Sequence, residues 1–150
     1  MHLLPSAEKL ASVVSGVTET MLGVTFVADD KGKHWTDLVW RAAMMNIPGA
    51  HPITVGLSSD QAGCRALSAA MFQLPKEEIS DDMLSDSLCE LVNMTAGLLK
   101  SHLKLEQALG LPRLVSPLNS PLPKPSTDPG PVVMRAMHLG LVLWVFEGIV

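Results

Sequence analysis

Apolar residues recur three and four positions apart at Leu10, Val13, Val14, Val17 and Met21, which predicts an amphipathic helix. Ser6 is placed to cap its first turn, with Pro5 before it, and Gly23 to close it. Residues 24–28 read as a short strand, and 29–33 as a polar turn. Residues 35–47 are rich in Trp, Val and Met and carry no turn signal until Pro48-Gly49. Residues 52–57 are again apolar, so the pattern predicts two strands joined by the Pro-Gly turn. Ser58 or Ser59 is expected to cap a helix reaching about Phe72, with Ala62, Leu67, Ala70 and Met71 inward. Ser80 then caps the longest helix, with Asp81 and Asp82 in its first turn, where acidic side chains suit the helix dipole. This helix is expected to run to about Leu109 and to stop at Gly110-Leu111-Pro112. Residues 113–117 read as a strand, and 117–131, with six prolines, as a loop. Residues 132–150 read as two strands turning near 138–140. Trp35, Trp40 and Trp144 fall in strand-like segments, as core or dimer contacts.

On a wheel of about 100° per residue, the long helix divides cleanly. Leu84, Leu88, Leu91, Val92, Thr95, Leu99 and Leu103 gather on one side, the core face. With Glu90 at the middle of the other side, Asp86, Asn93, Gly97, Ser101 and Lys104 fall within roughly 60° of it. Glu90 and Asn93 are neighbours at i, i+3. A polar face is what any solvated helix presents, but two residues go against helical preference. Asn93 is a poor helix former far from either cap. Gly97, one turn on, costs the helix about 1 kcal/mol relative to Ala. A poor helix former followed by a position without a side chain suggests that something approaches this face closely.

Composition narrows the classes. The chain has 150 residues and net charge −4, and is 47% hydrophobic and 17% charged, with mean hydropathy +0.29. The length suits a single domain over 1–150. The apolar content calls for a dense core or for apolar surface covered by a partner. No Lys/Arg cluster offers a basic face for phosphates, so nucleic acid is not an expected ligand. The longest apolar run, 139–146, falls short of the roughly 20 residues of a membrane helix, and no secretory signal is visible. A cytoplasmic location without membrane contact is expected. Cys64 and Cys89 form no metal or disulfide pattern and are expected in the core of a protein from a reducing compartment. The five histidines are scattered without zinc-site spacing, and no phosphate loop, nucleophile elbow or catalytic triad is visible.

Asp86-x-x-x-Glu90-x-x-Asn93 resembles the signature of the CheC/CheX/FliY chemotaxis phosphatases. The stretch Glu90-Leu-Val-Asn93-Met-Thr-Ala-Gly97-Leu-Leu-Lys100-Ser is close to the CheX form of that helix. Pro117 is about where the family's later proline falls, and Thr20-Met21-Leu22-Gly23 is similar to its opening segment. The bare Glu-x-x-Asn pair is a weak signal, and the extended segment from Asp86 to Ser101 makes it specific. The departures are a longer Pro-rich stretch and the absence of Tyr.

The resemblance implies an α/β (α+β) domain with an antiparallel sheet of about five to six strands and long helices on one face. It implies hydrolysis of the phosphoaspartate of a CheY-like response regulator. Asn93 would orient the attacking water, Glu90 would dock the regulator's lysine, and Asp86 and Gly97 would contact the partner. The regulator supplies the Mg²⁺, so neither a cofactor nor a metal ligand is expected on this chain. CheX-like members tend to pair as homodimers, and the single copy of the signature favours CheX over the two-site relatives. Two alternatives differ in class. One is a non-catalytic module that binds a response regulator or the flagellar switch. The other is a ligand-binding or structural dimer, in which Glu90 and Asn93 would turn inward or be covered.

Overall fold

The computed structural model describes residues 4–29, 35–105, 108–115, 131–137 and 139–148, with Thr36 described by its backbone alone. The chain runs α1 (Ala7–Leu22), β1 (Val27–Ala28), a 3-10 turn (Trp35–Leu38), β2 (Arg41–Ile47), β3 (Ile53–Ser59), α2 (Gln61–Phe72), a second 3-10 turn (Lys76–Glu78), α3 (Asp81–His102), β4 (Arg113–Val115), β5 (Val132–Ala136) and β6 (Leu139–Glu147). The strands form one six-stranded sheet in the order β1-β5-β6-β3-β2-β4. Every pairing is antiparallel. The predicted α/β class, with an antiparallel sheet and helices on one face, is the architecture found.

The three helices cover one face. Leu10, Val14 and Val17 of α1, Cys64 and Leu67 of α2, and Leu84, Leu88, Leu91 and Leu99 of α3 pack on alternate sheet residues, among them Met45, Val55, Leu143 and Met134. The intervening residues of β6, Val142, Trp144 and Phe146, point to the opposite face, yet they too are buried. There Leu38 packs on Val142 and Trp144. Trp35 meets the Trp144 ring edge-on at 5.3 Å, and Trp144 Nε1 donates to Ser58 Oγ at 3.0 Å. A sheet apolar on both faces accounts for the high hydropathy of the chain.

Several boundaries differ from expectation. The expected strand over 35–47 is a 3-10 turn followed by β2, and Trp40, between them, is half-exposed with the Arg41 guanidinium 4.4 Å from its ring centre. The strand expected over 24–28 shrinks to Val27–Ala28. Ser58 and Ser59 do not cap α2. Both are buried in β3, where Ser59 Oγ donates to the Gly140 carbonyl at 2.6 Å. Asp60 caps α2, accepting from Gly63 N–H at 2.7 Å. That shift turns Gly63, Cys64, Leu67 and Ser68 inward and leaves Ala62 exposed.

The longest helix ends at His102, well before Leu109. Lys104 adopts the left-handed conformation (φ 55°). Leu105 N–H donates to the Lys100 carbonyl at 3.1 Å, and Lys104 N–H to that of Ser101 at 3.2 Å. This is a Schellman stop with lysine where glycine is usual. The paired turn near 138 is found, with β5 and β6 joined through Met137 (φ 57°). Residues 30–34 and 116–130, which include Pro117 and most of the Pro-rich segment, lie outside the described residues, as does His138. Among the described residues, no helix is long and apolar enough to cross a membrane.

Candidate functional site

The site is built on α3. Ser80 caps it, its hydroxyl accepting from Met83 N–H at 3.3 Å, and Asp81 and Asp82 occupy its first turn. Its inner face buries Leu84, Ser87, Leu88, Leu91, Val92, Thr95, Ala96 and Leu99. Two of these are polar and are satisfied locally. Thr95 Oγ1 donates to the Leu91 carbonyl at 2.8 Å, and the Ser87 and Ser68 hydroxyls pair at 2.8 Å between α3 and α2. Helix α3 lies over β2 and β3 with α1 and α2 packed beside it. A helix fixed on the core side this firmly carries its outer side chains on a rigid base.

Those outer side chains are the predicted ones. Asp86 and Glu90 are exposed, and Asn93 is half-buried at the foot of the same face. They line an open groove of about 410 Å³ together with Cys89, Gly110, Leu111 and Pro112. Among the described residues, none forms an ion pair or hydrogen bond with the Asp86 or Glu90 carboxylate or the Asn93 carboxamide. Two carboxylates and a carboxamide, which can accept and donate at once, therefore face solvent with their bonding capacity uncommitted. Gly97 continues the face one turn further without lining the groove. A methyl group built at Gly97 meets nothing within 4 Å, so the fold gives no steric reason for glycine there.

The second wall of the groove is absent from the sequence reading, which took Gly110-Leu111-Pro112 only as a helix stop. Gly110 N–H donates to the Asn46 carbonyl of β2 at 2.8 Å. Three residues later the chain enters β4, with Arg113 opposite Met44. The segment is thus tied to the sheet and runs alongside the outer flank of α3. Pro112 is the proline it sets against Glu90 and Asn93. The available signal was a leucine between glycine and proline, with no helical or strand pattern to bury it.

The two cysteines separate. Cys64 is buried, as expected, and burial pushes its thiol up to about 12, with Asp60 raising and Arg41 opposing the shift. Cys89 is half-buried at the edge of the core. It lines the groove, and its thiol is pushed up by partial burial and then by the Asp86 carboxylate.

No curated protein matches the chain in sequence. The fold is that of several solved proteins. The chemotaxis protein CheX from Vibrio vulnificus aligns over 99% of this chain and 99% of its own, with TM-score 0.74 and 12% identity. A chain of the CheX–CheY–BeF3–Mg²⁺ complex from Borrelia burgdorferi aligns over 97% and 99%, with TM-score 0.72 and 12% identity. The FliM middle domain from H. pylori aligns over 92% and 84%, with TM-score 0.60 and 10% identity. At such identities the likeness establishes the fold alone. The family described as chemotaxis phosphatase CheX matches residues 41–133, which contain Asp86, Glu90, Asn93 and Gly97 and both walls of the groove. The chain belongs to the CheX chemotaxis phosphatase family.

Proposed function

We propose that the chain hydrolyses the phosphoaspartate of a CheY-like response regulator, with Asn93 orienting the water and Glu90 docking the regulator. The carrying observation is that Glu90 and Asn93 stand one helical turn apart on the open flank of α3, with their polar atoms uncommitted. Family membership and the fold shared with a chain of a CheX–CheY complex support the same reading.

The chemistry asks little of this chain beyond position and charge. Water attacks phosphorus in line, the bond from phosphorus to the aspartyl oxygen breaks, inorganic phosphate leaves and the regulator's carboxylate is restored. The Asn93 carboxamide accepts a hydrogen bond from the water through its oxygen and donates to a phosphoryl oxygen through its nitrogen, without titrating. Glu90 pairs with the lysine beside the phosphoryl group and sets the docking register. Asp86, one turn earlier on the same face, adds negative charge toward that lysine. The Mg²⁺ that spreads the phosphoryl charge belongs to the regulator.

The test is phosphate release from phosphorylated response regulators of the same organism, with and without the chain. Release accelerated in at least one of them supports the reading. Glu90→Ala is expected to raise KM for that regulator by about tenfold, the loss of one charge-assisted contact, with a smaller change in kcat. Unaccelerated release in every regulator overturns the reading.

A further inference from the structure

Leu111 is 85% exposed and joins none of the apolar clusters of the described residues. Yet it is held firmly. On one side the Gly110 N–H is bonded to the Asn46 carbonyl, and a Cβ at Gly110 would stand 2.7 Å from that same oxygen. Glycine is therefore required for the segment to lie this close to β2. On the other side Pro112 has a fixed φ and restricts Leu111 to extended backbone, and Arg113 is in register with Met44. A large apolar side chain is thus presented to solvent by a preorganised bracket, at no benefit to the fold. Preorganised apolar residues are what binding surfaces use, because little ordering entropy is lost on association.

Across the groove stand Asp86 and Glu90, and none of the described residues lining it is cationic. The occupant that complements this pair of walls has a cation facing α3 and an apolar patch beside it. Resting on the function proposed above, we infer that Leu111 is the apolar docking contact for the response regulator, which it grips beside the lysine that Glu90 meets. Leu111 acts in binding and specificity. It is not a catalytic residue, because the carboxamide that serves the water stands on the other wall.

The experiment compares the full chain with its Leu111→Ser and Leu111→Met variants. Phosphate release is measured against regulator concentration, with the affinity for the beryllofluoride-activated regulator and the sedimentation of the free chain. Leu111→Ser is expected to raise KM and Kd about tenfold or more, the loss typical of an interface anchor. Its kcat should stay within about twofold of the unsubstituted value, as expected of a residue that supplies only binding, and its Tm should be unchanged. Leu111→Met, which keeps the apolar volume, should restore most of the affinity. An active chain whose Leu111→Ser variant keeps its KM, or loses only kcat, overturns this proposal and leaves the functional reading standing. A shift in sedimentation of the free variant would assign Leu111 to a contact between copies and also overturn it. A chain that neither binds nor dephosphorylates any regulator overturns both.

Discussion

Gly110 donates its backbone N–H to the carbonyl oxygen of Asn46 at 2.8 Å, and a Cβ on Gly110 would reach 2.7 Å from that oxygen. With the pairing of Arg113 to Met44, this bond ties the Leu111–Pro112 wall to the sheet on which α3 rests. A methyl at this position must push the segment away and break the bond. Gly110→Ala is expected to cost about 1–2 kcal/mol of stability. It should raise KM for the regulator while sparing kcat, because Asn93 is on the other wall. Thermal melts and steady-state phosphate release check both parts.

Gly97 offers the opposite case. No atom of the fold lies within 4 Å of where its Cβ would be. Gly97→Ala should therefore gain most of the helix-propensity difference, about 0.5–1 kcal/mol. A Tm rise of roughly 2–4 °C would register it. If the face is approached closely by the regulator, the same variant dephosphorylates it less efficiently. A variant that gains stability at full efficiency would remove Gly97 from the contact.

The thiols make a pH-dependent prediction. Burial in the folded chain pushes the Cys64 thiol up to about 12, above the ordinary cysteine value near 8.5. Below the unfolded value the thiol is protonated in both states and contributes no slope. Between the unfolded value and about 12, the unfolded chain releases the proton first, so stability falls as pH rises. With no tyrosine in the chain, phenols add nothing to this window. Cys64→Ala should flatten the alkaline decline of Tm relative to the unsubstituted chain.

Cys89 responds differently because it is accessible from the groove. Its raised thiol should react slowly with iodoacetamide at neutral pH and faster as pH rises. Asp86→Asn removes the neighbouring negative charge, lowers the thiol toward its ordinary value and should speed the reaction. An alkylated Cys89 fills part of the groove and should weaken regulator turnover. Mass spectrometry on timed samples reads the rates.

Much of the fold was legible because pattern and cap agree. Ser6 and Gly23 bracket α1, and Ser80 begins α3, where the sequence places them. The β-like run over 132–150, expected as two strands, gives β5 and β6 with their turn. What was missed depends on contacts distant in the chain. Ser58 and Ser59 look like caps, but hydrogen bonds to Trp144 and Gly140 keep them in β3. Lys104 stops α3 in a conformation that sequence assigns to glycine. Lys104→Gly should stabilise the chain by up to about 1 kcal/mol by relieving that left-handed residue, again readable as a Tm rise. At the site, helical spacing was enough to gather Asp86, Glu90 and Asn93 on one face. The Leu111 wall was invisible because a bond to Asn46, distant in the chain, holds it there.

In the proposed function the Asn93 carboxamide supplies the chemistry. Phosphate release from a phosphorylated CheY-like regulator, compared between the unsubstituted chain and Asn93→Ala, tests it most directly. Asn93→Ala is expected to lower the stimulated rate by roughly a hundredfold or more, as loss of a positioned hydrogen-bonding group does, while Tm and regulator binding persist. An Asn93→Ala variant that stimulates release as well as the unsubstituted chain would contradict it.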